Sequence, residues 1–244
     1  MSSARGNSAR GNSVRGFAQG DLALALAALA AIVLWELGGW DLAISRAFGD
    51  AHGFALRDAW ITRTVAHDGG RILAAIVLAL TLVDAIRPFA SGPSRALRAY
   101  WLAVIVGLML LVPAIKRLSG TSCPWELAEF GGVAAYVPHW LIGIADGGAG
   151  HCFPSGHAVS AFAFFGLYFL WRPWRPRHAR GIVVAVVALG CVYGLAQTVR
   201  GAHFASHPMW SAWIAWSTCA IAAAIGSPGA SETFATAAAA RRTS

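Results

Sequence analysis

Residues 99–115 read AYWLAVIVGLMLLVPAI, an apolar run that ends at the charged pair Lys116-Arg117. A membrane-spanning helix needs roughly 17–25 apolar residues, so this run predicts a span that carries two cations at its end. Similar runs lie at about 21–38, 71–86, 156–171, 181–199 and 208–225. The sequence therefore predicts an all-α polytopic membrane protein, built as a six-transmembrane-helix bundle.

The composition excludes two other classes of protein. Apolar residues make up 57% of the chain and charged residues 12%, whereas a soluble domain carries about 25% charged residues and a disordered chain has few apolar ones. The formal net charge is +8, but the basic residues lie in short segments between apolar runs. We therefore expect no nucleic-acid partner, which would need a basic face on a soluble scaffold.

The arginines predict the orientation of the bundle. Of the 18 arginines, 12 lie in the segments 1–20, 87–98, 172–180 and 226–244, and basic loops stay on the cytoplasmic side. Residues 1–20 are then a disordered basic cytoplasmic tail and residues 226–244 a second cytoplasmic tail, on either side of a six-span domain over 21–225. A signal peptide is the alternative for the first apolar run, but a polar cleavage region is lacking.

The segment between the first two spans, at about 40–70, faces the outside in this topology. Apolar and charged residues are mixed along it, which favours one or two amphipathic helices at the periplasmic membrane interface. An ordinary ordered loop is the alternative.

Two polar clusters on the outer face suit an anion. Lys116 is the only lysine of the chain, and a compact ammonium is a common phosphate partner, although a snorkelling basic pair is the alternative. The second cluster, Pro154-Ser155-Gly156-His157, opens a span. Ser155 suits the N-cap, and the unpaired N–H groups of a first helical turn attract anions. His157 then stands beside a bound anion, unless it is an incidental histidine at an ordinary helix start.

The third cluster is the run RGAHFASH at 200–207. In a helix, Arg200, His203 and His207 share one face. His157, His203 and His207 could ligate zinc, but the flanking cations Lys116 and Arg200 argue against a metal ion. Histidines serve as nucleophile and proton donor near neutral pH, and fixed cations stabilise a phosphate that gains charge. The three clusters together favour metal-free phosphoryl transfer without a cofactor.

The spacing of the clusters resembles the type-2 phosphatidic acid phosphatase superfamily, whose signature is Lys-x6-Arg-Pro, Pro-Ser-Gly-His and Ser-Arg-x5-His-x3-Asp. Six residues separate Lys116 from Cys123, residues 154–157 match in full, and His203 and His207 fill the His-x3-Asp frame. The resemblance covers about residues 70–225. The chain is similar to a bacterial branch with Cys-Pro-Trp and Arg-Gly-Ala-His-Phe-x-Ser-His, which implies the bacterial inner (cell) membrane and a periplasmic active site.

Three positions depart from the family signature. Cys123 stands where the family has Arg, and Gln197 stands where the third motif has Arg, with Arg200 one helical turn further on. His207 replaces the Asp that orients the nucleophile. A neutral histidine stabilises a developing imidazolium less well than a carboxylate does. The nearby acids Glu126 and Glu129 are candidates for supplying that charge.

The resemblance implies a phosphohistidine mechanism. His203 would attack phosphorus, His157 would protonate the leaving oxygen, and His207 would orient His203. The groups that would hold the phosphate oxygens are Lys116, Ser155, the Gly156 N–H and Arg200. A second register of the motif would make His207 the nucleophile instead.

Cys123 and Cys152 are predicted to pair. Both would face an oxidising compartment, in which disulfides persist, and a bridge would tie the first motif to the second. Packing residues or free thiols are the alternative.

The resemblance implies an integral membrane phosphatase that hydrolyses a membrane lipid phosphate or pyrophosphate at the outer leaflet. The substrates of the family include phosphatidic acid, phosphatidylglycerol phosphate, undecaprenyl pyrophosphate and lipid A phosphates. A lipid phosphotransferase of the same fold and a phosphate-lipid-binding transporter that does not hydrolyse its ligand are the alternatives.

Overall fold

The computed structural model describes residues 2–141 and 143–225, with side chains from residue 19 onward. Two short strands, β1 (Gly49–Asp50) and β2 (Gly53–Phe54), form an antiparallel hairpin. The other regular elements are helical, as the sequence predicts. The α-helices of the described residues are α1 (Ser2–Leu37), α2 (Trp40–Phe48), α3 (Gly70–Ile86), α4 (Arg95–Leu118), α5 (Gly156–Phe162), α6 (Phe165–Trp171), α7 (Pro176–Val199) and α8 (Ser206–Ile225).

Among the residues that the structure describes, five helical segments are long and apolar enough to cross a membrane. The predicted span at 156–171 is instead divided into α5 and α6. Its 16 residues make about 24 Å of helix, which is shorter than the roughly 30 Å hydrocarbon core of a bilayer. The count of six spans therefore stays a prediction. The five segments are Gln19–Leu37, Ile61–Ile86, Arg95–Leu118, Pro176–Val199 and Ser206–Ile225.

The backbone at the start of the chain is helical from Ser2, whereas the sequence predicts a disordered tail over 1–20. No proline interrupts this stretch, so a helix can continue through it, although its glycines disfavour one. The side chains before residue 19 and the second predicted tail, 226–244, lie outside the described residues. The assignment of both tails to the cytoplasm stays a prediction.

The two short helices occupy the centre of the bundle. Helices α5 and α6 pack against α4, α7 and α8, and α1 packs on the outside of α8. A Cβ at Gly190 of α7 would lie 2.1 Å from the ring of Phe162, and one at Gly166 of α6 would lie 2.8 Å from Ile105 of α4. Small residues let membrane helices approach closely, so these glycines hold α4 and α7 against the central pair.

The polar residues gather at the two ends of the bundle. One end, called here the site end, holds the last turns of α4 and α7 and the first turns of α5 and α8. The opposite end holds two ion pairs, Asp21 with Arg172 and Asp84 with Arg98. The arginine-rich segments 87–98 and 172–180 flank these pairs, so the opposite end is the one that the arginine distribution predicts to be cytoplasmic.

The segment at 40–70 combines a helix, a hairpin and a helical extension of α3. After α2 and the hairpin, a π-helical stretch, Ile61–Gly69, runs directly into α3. Helix α2 buries polar residues, Asp41 and Ser45, because the Asp41 carboxylate accepts a hydrogen bond of 2.8 Å from the Ser206 N–H at the start of α8. The predicted helix is present, but its buried face is polar, and its place at a membrane interface stays a prediction.

A small apolar cluster holds the loops over the site end. It is separate from the core of the bundle and joins the hairpin, the loop after α4 and the turn before α8. Its members are Phe54, Leu127, Phe130, Ala134 and Phe204.

Candidate active site

A cavity of about 790 Å³ opens at the site end of the bundle. Five of the residues predicted to bind phosphate or react line it, and they come from three different parts of the chain. Ser155 and His207 are buried and are not part of its wall. The five that line it are Lys116, Gly156, His157, Arg200 and His203.

The turn that follows α7 positions Arg200 on the cavity wall. Gly201 has a φ of 72°, and a Cβ there would lie 2.3 Å from the ring of Phe54, so only glycine fits this turn. The Arg200 Nε donates a hydrogen bond of 2.7 Å to the carbonyl of Arg57. Burial is the main cause of a lowered pKa of Arg200, but a guanidinium stays charged in proteins, so Arg200 supplies a fixed cation.

His203 is 4% exposed and has an environment that keeps it neutral. Its pKa lies well below the ordinary 6.5, first because burial disfavours the charged ring and then because His207, Lys116 and His157 are close. A neutral imidazole has one nitrogen with a free lone pair. His203 is therefore in the form that a nucleophile needs at neutral pH.

The carbonyl of Cys152 orients the histidine pair. Its oxygen lies 3.1 Å from His207 Nδ1, and the Cys152 sulfur lies 3.6 Å from His203 Nδ1. The Nδ1 atoms of His203 and His207 are 3.3 Å apart. Because a carbonyl only accepts, His207 Nδ1 carries a proton toward it.

His207 lies behind His203 as seen from the cavity. It is 1% exposed, and its ring contacts Phe153 at 5.2 Å between centroids. This position favours His203 over His207 as the residue that meets a substrate.

The two acids that the sequence suggested as partners of the histidine pair have other partners. Glu126 accepts from the Cys123 N–H at 2.6 Å, and Glu129 pairs with Arg46 at 2.5 Å. The structure does not support either acid as the partner of the histidine pair.

His157 is held between two rings at the start of α5. The ring centroids of His67 and Tyr193 lie 4.6 Å and 4.9 Å from that of His157. His157 Nε2 lies 3.2 Å from the carbonyl oxygen of Ala66. Because that oxygen only accepts, Nε2 carries a proton, and Nδ1 is the nitrogen that remains for chemistry in the cavity.

Ser155 is the N-cap of α5. Its Oγ accepts a hydrogen bond of 3.4 Å from the Ala158 N–H, and its side chain is fully buried. Ser155 does not line the cavity, so it is not placed for the phosphate contact that the sequence analysis expected of it. Its role is to start the helix so that Gly156 and His157 face the cavity. A Cβ at Gly156 would lie 3.8 Å from Lys116 Cδ, which places the lysine stem beside that first turn.

The cavity wall includes polar residues to which the sequence analysis assigned no role, among them Gln197, His67 and Arg71. Gln197 is 3% exposed, and its Nε2 has no hydrogen-bond partner among the described residues. An unpaired buried donor is costly, so this amide suits a bound oxyanion. The sequence holds one hint of this role, because Gln197 stands six residues before His203, at the position where the family has Arg. His67 and Arg71 also line the cavity, but no motif includes them.

A disulfide joins Cys123 to Cys152, with 5.1 Å between the Cα atoms, and this is the pairing that the sequence predicts.

The disulfide also decides whether these residues can form the zinc site that the sequence left as an alternative. Among the described residues, the ligand atoms that lie close together belong to Cys152, His203 and His207, rather than to the three histidines. Because the Cys152 sulfur is bonded to Cys123, it offers no thiolate, and these residues do not fit the zinc site considered above.

Fold and site together define a multi-pass helical membrane protein with a histidine- and cation-lined cavity. Residues 96–228, more than half of the chain, match the family model of the PAP2 superfamily. The chain belongs to this superfamily, whose members are phosphatases, and it is therefore a phosphoester hydrolase. The resemblance inferred from the motifs is confirmed at the level of the superfamily. No curated protein and no solved structure matches the chain.

Proposed function

We propose that the protein is a metal-independent phosphatase of a lipid phosphate or pyrophosphate at the outer leaflet of a bacterial inner membrane. One observation carries this proposal: the cavity that bears the cations and histidines also has an apolar wall. Helices α3 and α4 supply that wall, which suits a hydrocarbon tail that stays in the bilayer. The apolar residues are Ala74, Ala75, Leu78, Met109 and Pro113.

The phosphate group binds between positive and neutral donors. Lys116 and Arg200 supply the charge, and the Gly156 N–H and the Gln197 amide supply hydrogen bonds. Donors that are fixed before the reaction stabilise charge as it develops on the phosphate. The unpaired amide of Gln197 supports this arrangement, because a bound oxyanion gives it the partner that it lacks.

The reaction proceeds in two displacements. In the substrate complex His157 is the imidazolium, with one proton on Nε2 and one on Nδ1, because the bound phosphate anion favours the charged ring. In the first displacement a ring nitrogen of His203 forms a bond to phosphorus, the bond to the lipid oxygen breaks, and that oxygen takes the Nδ1 proton of His157. In the second, water attacks phosphorus, the bond to His203 breaks, and His157 Nδ1 takes a proton from the water. The products are inorganic phosphate and the lipid alcohol, or inorganic phosphate and the lipid monophosphate when the substrate is a pyrophosphate.

The test is phosphate release by the purified protein from a panel of lipid phosphates in neutral detergent, with and without a chelator. We expect release from at least one lipid phosphate at a rate that the chelator does not change. Binding without release would show a lipid-binding protein instead. Product that forms only with a lipid acceptor would show a phosphotransferase, and loss of activity with chelator would contradict metal independence.

A further inference from the structure

The cavity contains a cation outside the three motifs. Arg71 is exposed, lies in the first turn of α3 and lines the same cavity as Lys116 and Arg200. Among the described residues it has no carboxylate within ion-pair distance. The neighbouring acid, Asp68, pairs instead with His67, at 2.9 Å from Asp68 Oδ1 to His67 Nδ1.

Arg71 has a defined place relative to the proposed proton donor. His67, one turn before Arg71, stacks on His157 with 4.6 Å between ring centroids. The Tyr193 hydroxyl donates a hydrogen bond of 3.3 Å to the Gly70 carbonyl, and a Cβ at Gly70 would lie 2.8 Å from the Tyr193 ring. The turn that carries Arg71 is therefore packed against α7.

The residues that follow Arg71 on α3 show where Arg71 lies relative to the apolar wall of the cavity. Ala74, Ala75 and Leu78 follow on the same helix and form part of the apolar wall. Along this helical stretch, Arg71 therefore lies between His67, which stacks on His157, and the residues of the apolar wall. In the proposed binding mode, the group that joins the scissile phosphate to the lipid tail lies at this level of the cavity.

We propose that Arg71 forms a second anion subsite, which binds a phosphate on the leaving side of the scissile bond. This inference rests on the proposed function and narrows it: the preferred substrate is a lipid that keeps one phosphate after hydrolysis. A guanidinium suits this task, because its fork binds phosphate through two parallel hydrogen bonds. The second phosphate is either adjacent, as in a lipid diphosphate, or separated by a short linker, as in a phosphomonoester beside a phosphodiester.

The test compares two pairs of substrates that share their tails. One pair is farnesyl diphosphate and farnesyl phosphate, and the other is phosphatidylglycerol phosphate and phosphatidic acid. The wild-type protein should have the higher kcat/KM for the two-phosphate member of at least one pair. Arg71→Gln should lower that preference about tenfold, mainly through KM, and Arg71→Lys should restore part of it. Arg87→Gln, which removes the same charge from the opposite end of α3, is the matched control and should leave the preference unchanged.

The outcomes separate this inference from the proposed function. Collapse of the preference in the farnesyl pair supports an adjacent phosphate, and collapse in the glycerolipid pair supports a separated one. An equal loss on all four substrates in Arg71→Gln, or the absence of any preference in the wild type, overturns the inference while phosphatase activity stands. If the wild type releases phosphate from none of the four, the proposed function fails, and this inference fails with it.

Discussion

At the scale of single residues, the proposed nucleophile, His203, is paired with a histidine that a backbone carbonyl orients, rather than with a carboxylate. The Cys152 carbonyl accepts a hydrogen bond from His207 Nδ1, which lies 3.3 Å from His203 Nδ1. A dipole carries less charge than an ionised Asp, so it stabilises the developing imidazolium less. It also does less to raise the pKa of His203, which stays low because burial dominates. The site therefore keeps free His203 neutral, but it stabilises the charged imidazolium of the proposed intermediate only weakly.

Removing either proposed reacting histidine should abolish most turnover. We expect His203→Ala or His157→Ala to lower kcat about 10³-fold, roughly 4 kcal/mol of barrier, because one removes the attacking nitrogen and the other the proton donor. Phosphate release by the purified variants measures this effect. The control is His178→Ala, an exposed histidine after α6 at the opposite end of the bundle. Near-wild-type activity in both site variants would remove the mechanism.

The lowered pKa of His203 predicts the acid side of the pH profile. The nucleophile works unprotonated, and its pKa lies below 6.5, so the loss of kcat/KM on acidification should begin below pH 6.5. The measurement is kcat/KM between pH 4.5 and 8 (approximate limits set by the ordinary titration range of His), corrected for titration of the substrate. An acid limb centred at or above pH 6.5 would mean that His203 is not the titrating nucleophile.

At the scale of elements, the site depends on how α2 and α8 meet. Asp41 of α2 is buried and accepts from the Ser206 N–H at the start of α8 and from Trp35 Nε1 at 3.0 Å. The negative carboxylate faces the positive end of the α8 dipole. Because His207 is the second residue of α8, this contact fixes the depth at which the histidine pair meets the Cys152 carbonyl.

Loss of the Asp41 carboxylate should therefore reduce both stability and activity. Asp41→Ala removes a helix cap and leaves buried donors unpaired, which costs about 2 kcal/mol. We expect a lower Tm in detergent and a several-fold lower kcat, with Asp41→Asn less affected because an amide oxygen still accepts. Asp50→Ala, which changes an exposed acid of the hairpin, is the control. An unchanged Tm in Asp41→Ala would show that α8 does not depend on this cap.

The disulfide holds the segment that carries the orienting carbonyl. It closes a separation of 29 residues, which corresponds to about 3.6 kcal/mol of stability in the chain-entropy account. We expect a membrane-impermeant thiol reagent to label Cys123 and Cys152 only after reduction. Reduction should also lower Tm and phosphate release. Labelling of both cysteines without reductant would refute the bridge in the cellular protein.

The sequence predicts the elements that follow from local pattern and misses those that depend on packing. The apolar runs predict the spans, and the spacing of Lys116, His157 and His203 predicts their meeting at one end. The break between α5 and α6 was missed, because the residues around it, at 161–165, are all apolar and carry no helix-breaking residue. The Cys152 carbonyl and the cavity wall from α3 were also missed, since backbone acceptors and long-range neighbours leave no motif in the sequence.

At the scale of the whole molecule, the cavity has polar groups at the site end of the bundle and apolar residues along α3 and α4. The first central helix, α5, begins at the site, and α3 and α4 border the cavity along with the turns that carry the cations. A lipid phosphate can then place its phosphate among the donors while its tail stays against apolar residues. This combination of one cavity with two kinds of wall is the basis of the proposed lipid substrate.

The most direct test of the account is to trap the phosphoenzyme. Purified protein is mixed briefly with a ³²P-labelled lipid phosphate, quenched in alkali, and the labelled peptide is identified by mass spectrometry. We predict an alkali-stable, acid-labile phosphate on His203, absent from His203→Ala and retained in His207→Ala. A label on His207, or no protein-bound label while phosphate is released, would contradict the central claim that His203 attacks a lipid phosphate in this cavity.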